Sequence, residues 1–227
     1  MRVVSLVPSV TETLLAWHIT PIAVTKFCEQ PDLPHVGGTK NPDVDAIVEL
    51  RPDLVVLCDE ENRREDADAL ETAGVPLHVM TVQSVEAVAP GLRRLAHALT
   101  LDVTVDEPPT TTAPIRTTAF VPIWRRPWMS MNASTYGSSL LASIGIGNVF
   151  SDSDDRYPTV TLDEVRERRP EVVLAPSEPY PFVERHRAEL ETVAPVEFVD
   201  GQDLFWWGVR TAAARQRLLG RLDRRAG

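Results

Sequence analysis

Short apolar runs separated by polar, turn-rich stretches set the rhythm of the chain. Val3-Val4-Ser5-Leu6-Val7 is β-branched and apolar throughout, the pattern of a strand buried on both faces. Pro8 ends it, and Ser9-Val10-Thr11-Glu12 has capping-box spacing, which predicts a helix to about residue 17 with Ser9 as its cap. A second short strand is expected over 22–25. Asn41-Pro42-Asp43 reads as a helix start, with Pro42 near its first position, and that helix runs to residue 50. Leu54-Val55-Val56-Leu57-Cys58 is the clearest strand in the sequence. A helix over 62–72, stopped by Gly74, leads to a strand over 75–80 whose Pro76 places it at a sheet edge. An amphipathic helix follows over 84–99 and contains Pro90. Residues 100–116 lack periodicity and carry Glu107-Pro108-Pro109-Thr110-Thr111-Thr112-Ala113-Pro114, the composition of a linker. The second half then repeats the alternation. Strands are expected over 117–123, 172–175 and 196–199, and helices over 134–143 (capped by Ser134), 163–168, 182–192 and 211–224.

The two halves echo each other. Leu50-Arg51-Pro52-Asp53-Leu54-Val55-Val56-Leu57 parallels Arg169-Pro170-Glu171-Val172-Val173-Leu174. In both, a helix ends, an Arg-Pro-acid turn follows and a buried strand begins. The expected fold is therefore α/β: an N-terminal α/β lobe over 1–83, a connecting helix and Pro/Thr-rich linker over 84–116, and a C-terminal α/β lobe over 117–227. Ligands of open α/β sheets sit beyond the carboxyl ends of the strands, so two such lobes predict a cleft between them.

Composition narrows the function. The chain has 227 residues, 43% hydrophobic and 25% charged, which suits a globular protein. Its net charge of −10 argues against nucleic acid, whose affinity comes largely from Lys and Arg contacts to phosphate. No apolar run is long enough to span a membrane. Cys28 and Cys58 are expected as free thiols in a monomer. The opening Met1-Arg2-Val3-Val4 already looks like core strand and not like an export signal, so a cytoplasmic location is expected for the chain as it stands, with extracytoplasmic action after signal removal as the alternative.

The motifs Val3-Val4-Ser5-Leu6-Val7-Pro8-Ser9-Val10-Thr11-Glu12, Gly37-Gly38-Thr39-Lys40-Asn41-Pro42 and Arg51-Pro52-Asp53-Leu54-Val55-Val56 occur in this order. They are followed by Trp124-Arg125-Arg126-Pro127-Trp128, Gly147-Asn148-Val149-Phe150, Tyr157-Pro158 and Ser177-Glu178-Pro179. Together they resemble the class III substrate-binding proteins of ABC importers, the helical-backbone metal receptors that bind cobalamin, ferric siderophores, haem or metal ions. The resemblance implies two similar lobes joined by a single helix, a ligand in the cleft between them, and delivery to an ABC permease without chemistry on the ligand. Where cobalamin receptors of the family carry a Trp ahead of the second helix, this chain has Thr39 and Lys40. The function expected is receptor for a corrinoid or ferric siderophore; the alternative is a cytoplasmic protein using the fold for cofactor sensing, storage or processing.

Candidate site residues follow from the same layout. Trp124 and Trp128 follow the first strand of the second lobe, and Phe205, Trp206 and Trp207 precede the last helix. Tyr136, Tyr180 and Phe182 lie on other expected loops of that lobe. Flat, bulky ligands suit such aromatic walls. Arg125, Arg126, Lys40 and Arg210 are candidates to pair with an anionic chelate, and Ser9 with an anion at a helix start. Histidines at 18, 35, 78, 97 and 186 are scattered, without the spacing of a metal site, and no resident cofactor is expected. P-loop, G-x-G-x-x-G and G-x-S-x-G motifs are missing, so an enzyme is not expected.

Overall fold

The computed structural model describes residues 1–107 and 113–226, with side chains to residue 221. Residues 108–112, the centre of the expected Pro/Thr-rich linker, lie outside the described residues. The chain divides into two compact units. One comprises Met1–Val82 and Ala87–Asp106, the other Gln83–Glu86 and Glu107–Gly227.

In the first unit, β1 (Val3–Ser5), β2 (Ala23–Val24), β5 (Leu54–Cys58) and β6 (Leu77–Met80) form a parallel sheet in the order β2-β1-β5-β6. Every residue of β1 and β5 is buried, as their unbroken apolar runs require. β6 is an edge strand. The helices α1 (Pro8–Ala16), α2 (Val44–Glu49) and α3 (Arg64–Thr72) belong to this unit, and Leu6, Ile47, Val55, Leu57 and Leu70 centre its core. The amphipathic helix α4 (Val85–Ala98) starts in the second unit and continues in the first, with Pro90 inside it.

The second unit repeats the plan. Its strands β7 (Thr117–Phe120), β9 (Ile146–Asn148), β11 (Val172–Pro176) and β12 (Val196–Val199) form a parallel sheet in the order β12-β11-β7-β9. Taken by order of appearance, second-first-third-fourth describes both sheets. The Arg-Pro-acid turns explain part of this likeness. Arg51 and Arg169 both take left-handed φ, at 46° and 50°. The acid after each proline then ties the turn to the start of the unit's first strand: Asp53 accepts from the Arg2 amide (2.6 Å), and Glu171 from the Thr118 amide (2.9 Å).

Several local expectations are corrected. α1 begins at Pro8, with Val7 as N-cap and no side-chain cap; Ser9 sits inside the first turn because proline's fixed φ starts the helix earlier. Asn41–Pro42 is strand β4, paired antiparallel with β3 (Gly37–Gly38), and α2 starts later, capped by Asp43. Gly37 is required here: its φ is 85°, and a Cβ would lie 2.6 Å from the Asn41 carbonyl oxygen. The helix α5 (Tyr136–Ser143) is capped by Thr135, not Ser134, and α6 (Leu162–Glu167) has a capping box of Thr161 and Glu164. Residues 182–192 are not one helix. Phe182 is buried beside a 3₁₀ turn, Glu184–His186, and α7 is only Arg187–Leu190. The antiparallel pair β8 (Trp128–Met129) and β10 (Thr159–Val160) and the short helix α8 (Gly201–Phe205) were not expected; α9 (Thr211–Ala226) was.

Candidate functional site

The carboxyl ends of the second unit's strands gather three loops. The loop after β7 folds back on itself: Ile123 donates to Met129 (2.9 Å) and Met129 to Trp124 (3.2 Å), which puts Arg125, Arg126 and Pro127 at a tip between two tryptophans. The loop after β11 carries Tyr180 and Phe182. Trp124 meets Tyr180 edge-on, with ring centroids 5.6 Å apart, and Tyr180 leans on Phe182 at 4.8 Å. Phe182 in turn stacks on Trp128, 6.0 Å away and 8° from parallel. His186 closes the group against both Tyr180 and Phe182. These four rings are a graded surface. Phe182 is core, Trp128 and Tyr180 are half-buried, and Trp124 is 45% exposed.

Arg125 holds this surface in shape. Its Nε and Nη2 both reach Glu189 Oε2, at 2.9 and 2.8 Å; it is hydrogen-bonded to Tyr180; and its guanidinium lies 5.9 Å from the Trp128 ring. The bonds to Glu189 hold the Arg125 pKa up. Arg125 is thus engaged as a brace between aromatic walls, and the Arg126 side chain at the tip is the exposed cation of the pair. His186 accepts the Val183 amide on Nδ1 (3.1 Å), and burial, followed by Arg185 and Arg125, lowers its pKa.

The loop after β12 supplies a second group. Asp200 caps α8, and Gly201 packs so tightly that a Cβ would stand 2.6 Å from the Glu178 amide nitrogen, which locks this helix to the loop bearing Tyr180. Asp203, buried, receives Arg217 on both carboxylate oxygens (2.7 and 2.5 Å) and lies 3.6 Å from Arg210. Arg210 lies over the Trp206 ring at 5.0 Å and also reaches Gln202. Phe205 and Trp206 are half-buried. Two expected ligand residues are core instead. Trp207 is 3% exposed, and Tyr136 is 4% exposed in the first turn of α5, its hydroxyl sharing a hydrogen bond with Thr211 (3.0 Å). Burial pushes that hydroxyl's pKa up, so it stays neutral. Sequence position beside a loop did not reveal which face of the local turn each ring takes.

The carboxyl ends of the first unit's strands are more polar. Ser9 is buried in the first turn of α1 with no hydrogen-bond partner for its Oγ. Lys40 is exposed beside the β3-β4 hairpin. Phe27, which the sequence reading passed over, is 52% exposed, with the Lys26 ammonium 5.1 Å from its ring. An isolated aromatic next to a lysine carries no periodic signal, which is why it was missed. Thr11 and Thr25 both hydrogen-bond the Cys28 thiol at 3.2 Å. Burial raises the pKa of both thiols, so neither is a ready nucleophile. Among the described residues no group of three or more His, Cys, Asp or Glu is placed to hold a metal ion.

Known proteins resemble this chain in part of its sequence and in its fold. Residues 3–102 match the family model described as periplasmic binding protein. That match spans nearly all of the first of the two units and stops before the stretch 107–227 of the second. A vitamin B12-binding protein of Yersinia pestis (strain Pestoides F) is 26% identical over 193 residues, covering 76% of this chain and 68% of its own length. The periplasmic vitamin B12-binding protein BtuF of Vibrio cholerae superposes with a TM-score of 0.77 at 18% identity, over 98% of this chain and 96% of that one. The periplasmic heme-binding protein BhuT, in complex with two hemes, superposes with a TM-score of 0.80 at 21% identity, over 97% of each chain. These likenesses show the fold: a mixed α/β architecture with parallel sheets shared with both solved structures.

Proposed function

We propose that this protein is a receptor for a bulky metal chelate, a corrinoid or ferric siderophore, that feeds an ABC importer and performs no chemistry on its ligand. The observation that carries the reading is the aromatic surface at the carboxyl end of the second unit's sheet. There Trp124 leaves 45% of its surface exposed on top of a rigid stack of Tyr180, Phe182 and Trp128. Exposed rings supported from behind suit a large, partly apolar ligand, because contact removes apolar area from water at little cost in ordering. Arg126 is the exposed cation proposed to meet an anionic periphery at this surface. Trp206 and Phe205 extend the proposed wall. The vitamin B12- and heme-binding relatives support a tetrapyrrole-sized ligand.

The absence of an enzyme role belongs to the same proposal. The raised pKa values of Cys28, Cys58 and Tyr136 keep each of them protonated and poorly suited to nucleophilic or acid-base work at neutral pH. We place its site of action outside the cytoplasm, as the relatives named as periplasmic support; fractionation of cells expressing the gene with its native upstream sequence checks this, and recovery with cytoplasmic markers contradicts it. Calorimetric titration against cobalamin, haem and ferric siderophores tests the ligand class. Saturable binding at micromolar or lower concentration by one of them supports the proposal. Folded protein that binds none of the panel overturns it.

A further inference from the structure

His186 stands behind the aromatic surface of the second unit and not on its exposed face. Its ring is buried, with the rings of Tyr180 and Phe182 each 5.6 Å away. It exchanges two hydrogen bonds with Val183. The His186 amide donates to the Val183 carbonyl (2.8 Å), and the Val183 amide donates to the His186 Nδ1 (3.1 Å). The second of these closes the 3₁₀ turn through a side chain. It also fixes the backbone directly after Phe182, the ring on which Trp128 stacks.

The other ring nitrogen faces a donor too, since the Arg185 Nε lies 3.3 Å from Nε2. A neutral imidazole has one nitrogen that can accept, and an imidazolium has none. A second proton on the ring therefore displaces the Val183 amide, the shorter of the two contacts. Arg185 in the same turn and Arg125 from the loop after β7 both oppose that added charge. Glu189 of α7 favours it, but its carboxylate already holds Arg125. The Tyr180 phenol, from the loop after β11, is itself hydrogen-bonded to Arg125.

Building on the reading of this protein as a chelate receptor, we propose that His186 is a positioning residue for the aromatic surface and holds it only while its ring is neutral, so that acid loosens the Tyr180–Phe182–Trp128 stack and weakens chelate binding. The deciding measurement needs no chelate. The full chain, with its histidine and aromatic rings labelled, is followed by NMR from about pH 7.5 down to about pH 5. The Tyr180, Phe182 and Trp128 ring signals are expected to move with the same midpoint as the His186 ring. This comparison is made in wild type, so it stands even if a variant fails to fold. The movement should vanish in His186→Asn, whose amide oxygen can accept near the place of Nδ1 but takes up no proton, and in His186→Phe, which keeps a ring there. Calorimetry with cobalamin, haem and a ferric catecholate at both ends of the range gives a second readout. A chelate that wild type binds should bind about tenfold more weakly in acid, and equally at both ends to the variants. A His186 ring that titrates without moving the three aromatic signals, a ring that stays neutral throughout, or a pH profile unchanged in both variants overturns the proposal. A panel bound at neither pH counts against the receptor reading instead, and the ring signals still decide the role of His186.

Discussion

Trp124 and Trp207 lie on loops at the same end of the same sheet, yet they should respond to truncation in opposite ways. Trp124 is 45% exposed and Trp207 is 3% exposed. A tryptophan offers up to about 250 Å² of burial, so Trp124 presents roughly 110 Å² to a ligand, worth about 2.8 kcal/mol at ~25 cal/mol per Å². A ligand covering half of that area draws about 1.4 kcal/mol from it. Trp124→Ala should therefore weaken chelate binding between about tenfold and a hundredfold. Its stability loss should stay near 1 kcal/mol, the scale of the lost edge-on contact with Tyr180. Trp207→Ala should instead destabilise by about 3–5 kcal/mol, as a core truncation. Any effect on affinity should vanish once only folded protein is counted. Calorimetry with the tightest ligand and urea unfolding of both variants provide the two readouts. Wild-type affinity in Trp124→Ala, with a ligand that wild type binds, would refute the reasoning.

Other outcomes follow from the braces behind that surface. Arg125→Met should lower affinity severalfold while costing only about 1–2 kcal/mol of stability, since the Glu189 pair is partly exposed, and Glu189→Gln should move affinity in the same direction; unchanged affinity in both would show that the brace is not needed. Asp203→Ala should cost about 2–3 kcal/mol, lowering Tm by roughly 5–10 °C, and should also change the Trp206 fluorescence that Arg210 shapes; thermal unfolding and emission spectra check both. His78, which faces Arg94, and His186, which faces Arg185, Arg125 and Glu189, both have lowered folded-state pKa values. Below about pH 6.5 the unfolded chain takes up protons that the folded chain resists, so stability should fall as pH drops from there toward the folded-state values. The double variant His78→Gln/His186→Gln should flatten that slope in urea unfolding, and an undiminished slope would count against the assignment.

The sequence was most legible where one physical demand dominates. β5 appears with the bounds its apolar run predicts, because a strand buried on both faces has little freedom to slip. Pro76 correctly marked β6 as an edge, and the Arg-Pro-acid echo marked two equivalent turns. The echo did not show what the acids do, because their partners, the Arg2 and Thr118 amides, are 51 and 53 residues away. Helix starts were misread wherever several capping residues compete: Ser9 lost to Pro8, Ser134 to Thr135, and Asn41 to the β3-β4 hairpin. Within the aromatic group, composition and loop position brought Trp124, Trp128, Tyr180 and Phe182 together. Which ring faces solvent was not legible, because it depends on packing between loops far apart in sequence. Arg125 reads from sequence as a ligand contact; only its distances to Glu189 and Trp128 make it a brace.

A crystal structure with the tightest-binding chelate tests the central claim most directly. The account predicts the ligand within van der Waals contact, about 4 Å, of the exposed Trp124 ring and Tyr180, with Arg125 still bound to Glu189. A ligand seated away from these rings, or one whose binding pulls Arg125 off Glu189 to reach it, would contradict the aromatic surface as the recognition element.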